Sequence, residues 1–222
     1  MKTNIHLTQQ AYLPYASFCK LNHGCYYNLE DNPTFYGMDC SRTISSLYFS
    51  EYKKTYNLKS DKLLSFSSEN DPEVKILSPN HWHNFMYDNN PDKFDIQGFD
   101  FEDKDYDFAF INQTFEHIVD PCSAMESLAK HLKSGGYIYG NWPVVNIRHM
   151  EPFHFFTGLT VSYINYLALY HDLEIIECGS WGNLDYLNQI FTNQDWPDYR
   201  QVNNLKNDCN CPCIGWGLYR KK

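Results

Sequence analysis

The sequence predicts a doubly wound α/β sandwich, with helices on both sides of one sheet. Short apolar runs typical of buried strands alternate with stripes of apolar residues at helical spacing. One β-α-β unit also carries clear start and stop signals. The stretch between Asp39 and Asp107 is long enough for two further units of about 30 residues each and too short for a third. Alternation of this kind favours an α/β sheet over a bundle or a sandwich of strands.

The clearest unit begins with a continuous apolar run at 108–111, which indicates a strand buried on both faces of a parallel sheet. Asp120 then offers a side-chain oxygen as N-cap, and Pro121 suits the first position of a helix. A helical stripe follows at Cys122, Met125, Leu128, Ala129 and Leu132. The basic and glycine residues at 133–136 predict the end of that helix. A second strand is expected at 137–141.

The other elements follow the same alternation along the chain. Upstream, the pattern predicts strands at 34–39, 74–77 and 94–96, and helices at 44–56 and 81–87. Downstream, it predicts a helix at 159–170 and strands at 173–177 and 214–219. Residues 1–33 contain two prolines and keep no period, so we expect an irregular N-terminal extension packed on an α/β domain of residues 34–222.

Composition and charge exclude several classes of protein. The chain has 222 residues, with 18 Lys and Arg against 27 Asp and Glu, for a formal net charge of −9. A surface that follows nucleic acid phosphates needs clustered basic residues, so nucleic acid is not an expected partner. No apolar stretch approaches the roughly 20 residues of a membrane span, and Met1–Thr8 lacks the apolar part of a signal peptide. We expect a soluble, cytoplasmic protein without a membrane partner.

Eight cysteines could suggest a disulfide framework, but such frameworks belong to short exported chains. Only Cys209, Cys211 and Cys213 are close together. Structural zinc sites use pairs of ligands separated by two to four residues, and this spacing of one residue fits them poorly. The sequence therefore predicts reduced thiols and no metal site.

The segment 106–121 resembles class I S-adenosylmethionine-dependent methyltransferases, in which an acidic lead-in, a strand ending in a polar residue, a Phe-Glu-His step and Asp-Pro follow in order. Leu132–Tyr137 is similar to the family's Leu-Lys-Pro-Gly-Gly entry to its fifth strand. Residues 94–103 resemble its third strand and the acidic turn beside the adenine. Segments 149–159 and 178–183 resemble a subgroup that acts on sugars and other small metabolites. The ordered match covers roughly residues 92–222.

This resemblance implies a Rossmann-like, seven-stranded, mostly parallel sheet with helices on both faces. It also implies an enzyme that transfers a methyl group from S-adenosylmethionine to a small-molecule acceptor, including the sugar-containing class. Its glycine-rich cofactor turn is degenerate here, because Cys40 stands where a glycine is expected after Asp39. In a second register, Asp39 ends the second strand and binds the ribose; the spacing of the β-α-β units favours Asp39 at the end of the first strand.

Ligands of open α/β sheets lie outside the carboxyl ends of the strands. On that rule and on the resemblance, the residues assigned to the cofactor are Asp39, Cys40, Ser41, Asn80, Asp100, Phe101, Asn112 and Gln113. Asn80 follows the predicted second strand and would bind the ribose, and Asp100 lies in the adenine turn. Asp39 as a helix cap and Asp100 as a solvated turn residue are the alternatives.

Methyl transfer to a hydroxyl or amine needs a base for the acceptor's proton, and histidine is the usual candidate near neutral pH. His117 follows the predicted fourth strand, and His154 lies in the loop after the fifth. We assign both as candidate catalytic bases. A packed structural histidine is the alternative for His117, and a surface histidine is the alternative for His154.

Two other functions compete with this one. A methyltransferase-like module that has lost its cofactor and serves in binding is suggested by the missing glycines. A nicotinamide-dependent oxidoreductase is disfavoured, because no Gly-x-Gly-x-x-Gly follows any predicted strand.

Overall fold

The computed structural model describes residues 4–29, 37–66, 70–85, 95–97 and 104–222. The helices are α1 (Ile5–Asn22), α2 (Cys40–Thr55), α3 (Pro72–Leu77), α4 (Pro121–His131), α5 (Val161–Tyr170) and α6 (Leu184–Asn193). The strands are β1 (Lys62–Ser65), β2 (His81–Asn84), β3 (Tyr106–Asn112), β4 (Leu132–Pro143), β5 (Leu173–Trp181) and β6 (Ile214–Lys221). Short 3-10 turns cover Phe115–His117 and Tyr199–Gln201.

The strands form one sheet in the order β2-β1-β3-β4-β6-β5. The four strands from β2 to β4 are parallel, and β6 runs antiparallel to both β4 and β5. The mostly parallel α/β fold is therefore confirmed. The described residues contain six strands where seven were predicted.

Two apolar layers cover the two faces of the sheet, and β3 shows why. Phe108 and Phe110 pack into the layer formed with α2, α3 and α6, whereas Ala109 and Ile111 pack into the layer formed with α4 and α5. A strand with helices on both faces must be apolar on both sides, which explains its continuous apolar run.

The second half of the chain follows the prediction closely. Asp120 caps α4, and its carboxylate accepts hydrogen bonds from the backbone N–H groups of Cys122 (3.0 Å) and Ser123 (3.2 Å). The predicted glycine cap at 133–136 is wrong, because α4 ends at His131 and the backbone is already extended at Leu132. The glycines lie inside β4 instead.

In the first half of the chain, several predicted elements are wrong. Residues 74–77, predicted as a strand, belong to helix α3, and His81–Asn84, predicted to begin a helix, form β2. Strand β1 was missed. Four-residue segments are too short for periodicity to separate strand from helix. Residues 74–77 of α3 include three apolar residues, whereas β2 has only Trp82.

The strand predicted at 34–39 is also wrong in the part that the structure describes. Residues 34–36 lie outside the described part of the chain, and Asp39 is the N-cap of α2. The helix predicted at 44–56 is confirmed as α2, which begins earlier, at Cys40. In the strand predicted at 94–96, Phe94 is outside the described residues. Ile96 lies in a turn in which the Asp95 carboxylate accepts a hydrogen bond from the Gln97 N–H (2.9 Å).

The N-terminal region is not irregular, because α1 spans Ile5–Asn22 and continues through Pro14. Ala11 and Phe18 are buried, and the Asn165 side chain donates a hydrogen bond to the Ala11 carbonyl (3.0 Å). The helix therefore packs on α5 and β5. A domain boundary at residue 34 stays a prediction. In the described part of the chain, no helix has the length and apolar character to cross a bilayer.

Candidate functional site

The carboxyl ends of β1, β3 and β4 meet at one edge of the sheet. The chain runs outward in one direction from β1 to β2 and in the other from β3 to β4, so the order of strands reverses between β1 and β3. In open α/β sheets the ligand lies at such a reversal, outside the carboxyl ends. The site is therefore expected beside Ser65, Asn112 and Pro143, the last residues of these strands.

A buried polar network fills this reversal point. The Arg42 guanidinium, from α2, lies 3.1 Å from Asp71 and 3.3 Å from Glu73, both at the start of α3. Asn112 donates to the Asp71 carboxylate (3.1 Å), and Asn141 donates to that of Glu73 (3.0 Å). Buried charges need such partners, because unpaired ones carry a large desolvation penalty.

Charge and burial act against each other in this network. Burial alone would lower the pKa of Arg42, but Glu73 and Asp71 outweigh it and leave that pKa raised. Burial raises the pKa of the Glu73 carboxyl, and Arg42 opposes the rise. The Glu73 carboxylate therefore depends on the Arg42 guanidinium to stay ionised.

Two buried atoms of the network have no hydrogen-bond partner among the described residues. They are Arg42 Nε, a donor, and Asn112 Oδ1, an acceptor. A buried polar atom left unpaired costs about 1–3 kcal/mol. These two atoms are therefore available to a ligand that offers both kinds of hydrogen-bonding group.

A cleft of about 240 Å³ adjoins the network, between the start of α2 and the ends of β3 and β4. Its lining includes four residues that the sequence assigned to the site, Asp39, Ser41, Gln113 and His117. Arg42, Glu116, Asn146, His149 and Trp196 also line it. The structure thus brings together predicted residues from two separate parts of the chain.

The three residues predicted around the start of α2 differ in what they offer. The Asp39 carboxylate accepts hydrogen bonds from the Ser41 hydroxyl (2.6 Å) and the Arg42 N–H (2.8 Å), so it acts as a helix cap. Burial raises the pKa of Asp39, against the lowering effect of Ser41. Cys40 is fully buried in the core beside the cleft.

Asn112 and Gln113 stand at the end of β3 as predicted. Gln113 has a left-handed backbone (φ 49°), and its side chain donates to the Asn141 side-chain oxygen at 2.9 Å. The turn therefore directs Asn112 into the buried network and leaves Gln113 on the wall of the cleft.

Of the remaining cofactor predictions, Asn80 does not join the site, and Asp100 and Phe101 stay predictions. Asn80 directly precedes β2, so it lies at the amino ends of the parallel strands, away from the cleft. There its side chain donates to Asp61 (3.0 Å) and its N–H donates to the Ser60 carbonyl (3.2 Å). Its predicted role depended on a strand at 74–77, which is a helix. Asp100 and Phe101 lie outside the described residues.

His117 and His154, the two predicted bases, meet His149 at the other wall of the cleft. The ring centroids of His117 and His149 are 4.9 Å apart, and those of His149 and His154 are 4.8 Å apart. Burial lowers the pKa of both His117 and His154, and the neighbouring His149 lowers it further. These lowered pKa values favour the neutral form of both rings.

Glu116 lies behind these histidines. Its side chain is buried, one carboxylate oxygen is 3.7 Å from His117 Nε2, and the other has no hydrogen-bond partner among the described residues. Burial raises the pKa of Glu116 to about 7, while its own backbone N–H and Arg42 act in the opposite direction. Such a carboxyl can hold or release a proton near neutral pH.

Sequence reasoning missed Asp71, Glu73 and Glu116 as site residues. A signal for the first two was present, since Asp71-Pro72 repeats the Asp-Pro helix start recognised at Asp120-Pro121. Nothing in the sequence indicated that Glu116 would be buried against the histidines.

Comparison with known proteins agrees with this geometry. A family model described as a methyltransferase domain matches residues 40–198. No curated protein matches the sequence. A putative sarcosine dimethylglycine methyltransferase from Galdieria sulphuraria has a similar structure, with a TM-score of 0.54 and 12% identity over 81% of this chain and 86% of that one.

Two further solved structures have the same fold. A possible histamine N-methyltransferase from Thermotoga maritima has a TM-score of 0.51 and 11% identity, over 82% of this chain and 91% of that one. An S-adenosylmethionine-dependent methyltransferase from Clostridium acetobutylicum has a TM-score of 0.50 and 12% identity, over 82% of this chain and 93% of that one. At these identities the structures show the fold, and the family model shows the family. The chain belongs to the class I S-adenosylmethionine-dependent methyltransferases.

Proposed function

We propose that this protein transfers a methyl group from S-adenosylmethionine to a small-molecule acceptor bound in the 240 Å³ cleft. The observation that carries the proposal is the position of the cleft, beside a partly unsatisfied polar network at the point where the strand order reverses. The mixture of polar and aromatic walls in the cleft suits a metabolite.

The chain's own residues fit the cofactor at the reversal point. S-adenosylmethionine supplies an electrophilic methyl group on a sulfonium, together with amino, carboxylate and hydroxyl groups that both donate and accept hydrogen bonds. Asn112 Oδ1 and Arg42 Nε are the buried acceptor and donor that lack partners among the described residues. We assign these two side chains to the cofactor, with Asp39 and Ser41 fixing the start of α2 that carries Arg42.

The acceptor would lie between this network and the histidines. Gln113 and Asn146 offer amide groups to hydroxyls, and the Trp196 indole, which donates to Asn146 (2.8 Å), offers a flat apolar surface. This combination supports a sugar-containing acceptor, whose ring has apolar faces and hydroxyl edges. His117 and His154 are held neutral by burial, so either imidazole can take the proton that a hydroxyl acceptor loses.

Much of the catalysis of methyl transfer comes from holding donor and acceptor together in a dry site. The buried network supplies a fixed wall for that purpose, because Arg42, Glu73 and Asn112 hold one another in place.

A test of the proposal is the donor-dependent formation of S-adenosylhomocysteine. The purified full chain would be incubated with S-adenosylmethionine and pools of small hydroxyl and amino compounds, with sugars and sugar nucleotides as separate pools. We expect S-adenosylhomocysteine to form with a subset of the pools, and Gln113→Ala to reduce the rate. Binding of the cofactor without turnover in any pool would favour the non-catalytic alternative that the missing glycines suggested.

A further inference from the structure

Three histidines that are distant in the sequence converge at one wall of the cleft. His117 ends the 3-10 turn after β3, whereas His149 and His154 lie in the segment between β4 and α5. One ring nitrogen of each lies within 4.8 Å of a ring nitrogen of the other two. Among the described residues, this is the group whose geometry fits a metal ion.

Backbone hydrogen bonds hold the segment in this place. The N–H groups of Phe155 and Phe156 donate to the Glu116 carbonyl at 2.9 and 3.2 Å. His117 Nδ1 in turn donates to the Phe153 carbonyl at 2.8 Å. These hydrogen bonds hold the turn that carries His117 against the segment that carries His149 and His154.

The tautomers of two of the rings follow from their partners. A carbonyl can only accept, so His117 Nδ1 carries its proton toward Phe153, and His149 Nδ1 carries its own toward Ile147 (3.0 Å). Both Nε2 atoms are then left with a free lone pair. Histidines that bind metals show this pattern, in which the nitrogen opposite the metal donates to a backbone carbonyl.

The buried ring nitrogens of His154 give a second, independent reason to expect a ligand at this cluster. Both of its ring nitrogens are buried, and neither has a hydrogen-bond partner among the described residues. An unpaired polar atom in a buried position is costly, and it is retained where a ligand satisfies it. The two neighbouring rings offer His154 no hydrogen, because their protons are directed elsewhere.

We propose that His117, His149 and His154 bind one divalent first-row metal ion, and that Zn²⁺ is the ion this set suits best. Three neutral imidazoles with an open fourth position form the ligand set of catalytic zinc sites. In a tetrahedral site the ligand nitrogens are roughly 3.3 Å apart, so modest ring rotations close the present spacing. This site was not predicted from the sequence, because His117 lies far from His149 and His154 along the chain.

The fourth position would face the cleft, since His117 and His149 both line it. The ligand class expected there is a small molecule that offers a hydroxyl or carboxylate oxygen. The Glu116 carboxylate, 3.7 Å from His117 Nε2, can accept a hydrogen bond from a hydroxyl bound there. The next step rests on the proposed function. If the protein methylates a hydroxyl, the ion would lower the pKa of that hydroxyl and would replace His117 and His154 as the activating group, because their lone pairs would be bound to it.

Metal binding can be measured without cofactor or acceptor. Untagged full-length protein, stripped with EDTA and dialysed, would be titrated with ZnCl₂ by calorimetry and with CoCl₂ by visible absorption. We expect one ion per chain, and a loss of affinity of more than about 100-fold in His149→Ala and in His154→Ala. Azide should change the Co²⁺ spectrum of the wild-type protein, because it can occupy an open position.

Two control variants separate this site from other ligands. His6→Ala removes an exposed histidine of α1, and Cys209→Ser/Cys211→Ser removes two free thiols that lie close together in the sequence. Both should bind Zn²⁺ as the wild type does. Thermal unfolding in EDTA reports whether each variant folds. If a histidine variant does not, the Co²⁺ spectrum of the wild type decides between nitrogen ligands and thiolates.

Stoichiometric binding that survives in both histidine variants, or that is lost in the cysteine variant, would overturn the inference, as would the absence of Zn²⁺ binding. A titration of the metal-free protein with S-adenosylhomocysteine tests the cofactor site of the proposed function separately from the metal site. Protein that binds S-adenosylhomocysteine but no Zn²⁺ would overturn the metal site and leave the methyltransferase function in place.

Discussion

The guanidinium of Arg42 lies 3.3 Å from the carboxylate of Glu73 at the base of the site, and the two side chains are 14% and 0% exposed. The pair joins α2 to α3 across the point where the strand order reverses. A pair in this position is sensitive to the loss of either partner, because Arg42 would then keep only Asp71 as a buried counter-charge and Glu73 would keep none.

Glu73→Gln should therefore lower the free energy of unfolding by about 3–5 kcal/mol. The matched control is Glu51→Gln in the exposed pair of Glu51 and Lys54 on α2, which should cost less than about 1 kcal/mol. Chemical denaturation of both variants at pH 7 measures the difference. Equal effects of the two substitutions would show that the buried pair does not hold the site together.

Asp198 gives a prediction about pH. Its carboxylate accepts hydrogen bonds from Arg200 Nε (2.8 Å) and from the Gly37 N–H (2.7 Å). The Arg200 side chain lowers the pKa of Asp198 from 3.8 to about 2, against the effect of burial. A carboxyl with a depressed pKa stabilises the fold above its unfolded pKa, and that contribution is lost as the pH falls through the folded value.

Asp198→Asn should thus cost roughly 2 kcal/mol at pH 7, and the gap to the wild type should close between about pH 4 and pH 2. Asp185→Asn, at an exposed position of α6, is the control and should cost much less. Denaturant unfolding across this pH range provides the measurement. A gap that stays constant with pH would exclude the ionised Asp198 as the source of the stabilisation.

Asn112 and Asn80 offer a direct test of which asparagine reaches the cofactor. Both were assigned to it from the sequence, but Asn112 lies at the reversal point with an unpaired oxygen, and Asn80 lies at the opposite edge. Asn112→Ala should weaken S-adenosylhomocysteine binding about tenfold, the value of one buried hydrogen bond. Asn80→Ala should leave the affinity unchanged. Weaker binding in Asn80→Ala and unchanged binding in Asn112→Ala would instead support the assignment in which Asn80 binds the ribose.

The N-terminal helix should behave as part of the domain core. Phe18 is 9% exposed and packs edge-on against Tyr48 and Trp216, with ring centroids 5.7 Å apart in both pairs. Phe18→Ala should cost about 3–5 kcal/mol. Leu21→Ala, at a position 76% exposed on the same helix, should cost less than about 0.5 kcal/mol. Similar values for the two would support a dispensable extension instead.

The sequence was informative where several local signals agreed. From β3 to β4 the apolar run, the Asp-Pro start and the return to a strand all indicated one unit, and it is present. From β1 to β2 no such agreement existed. Leu63 and Leu64 are the apolar residues of β1, and β2 reads His-Trp-His-Asn, so neither strand gives a periodic signal.

The site was predictable only in part, for a related reason. The strand-end rule found Asn112 and Gln113, because it needs no knowledge of distant contacts, and His117 was found as a candidate base. The convergence of His117 with His154 depends on hydrogen bonds between the Glu116 carbonyl and a loop almost 40 residues later. Local patterns carry no information about such contacts, so the rings could be considered only one at a time.

The measurement that tests the central claim most directly is a calorimetric titration of the wild-type protein with S-adenosylhomocysteine. The proposed site predicts saturable binding of one molecule per chain, weakened by Asn112→Ala. The absence of saturable heat at millimolar ligand, from protein that is folded by circular dichroism, would contradict a cofactor site at the carboxyl edge of this sheet.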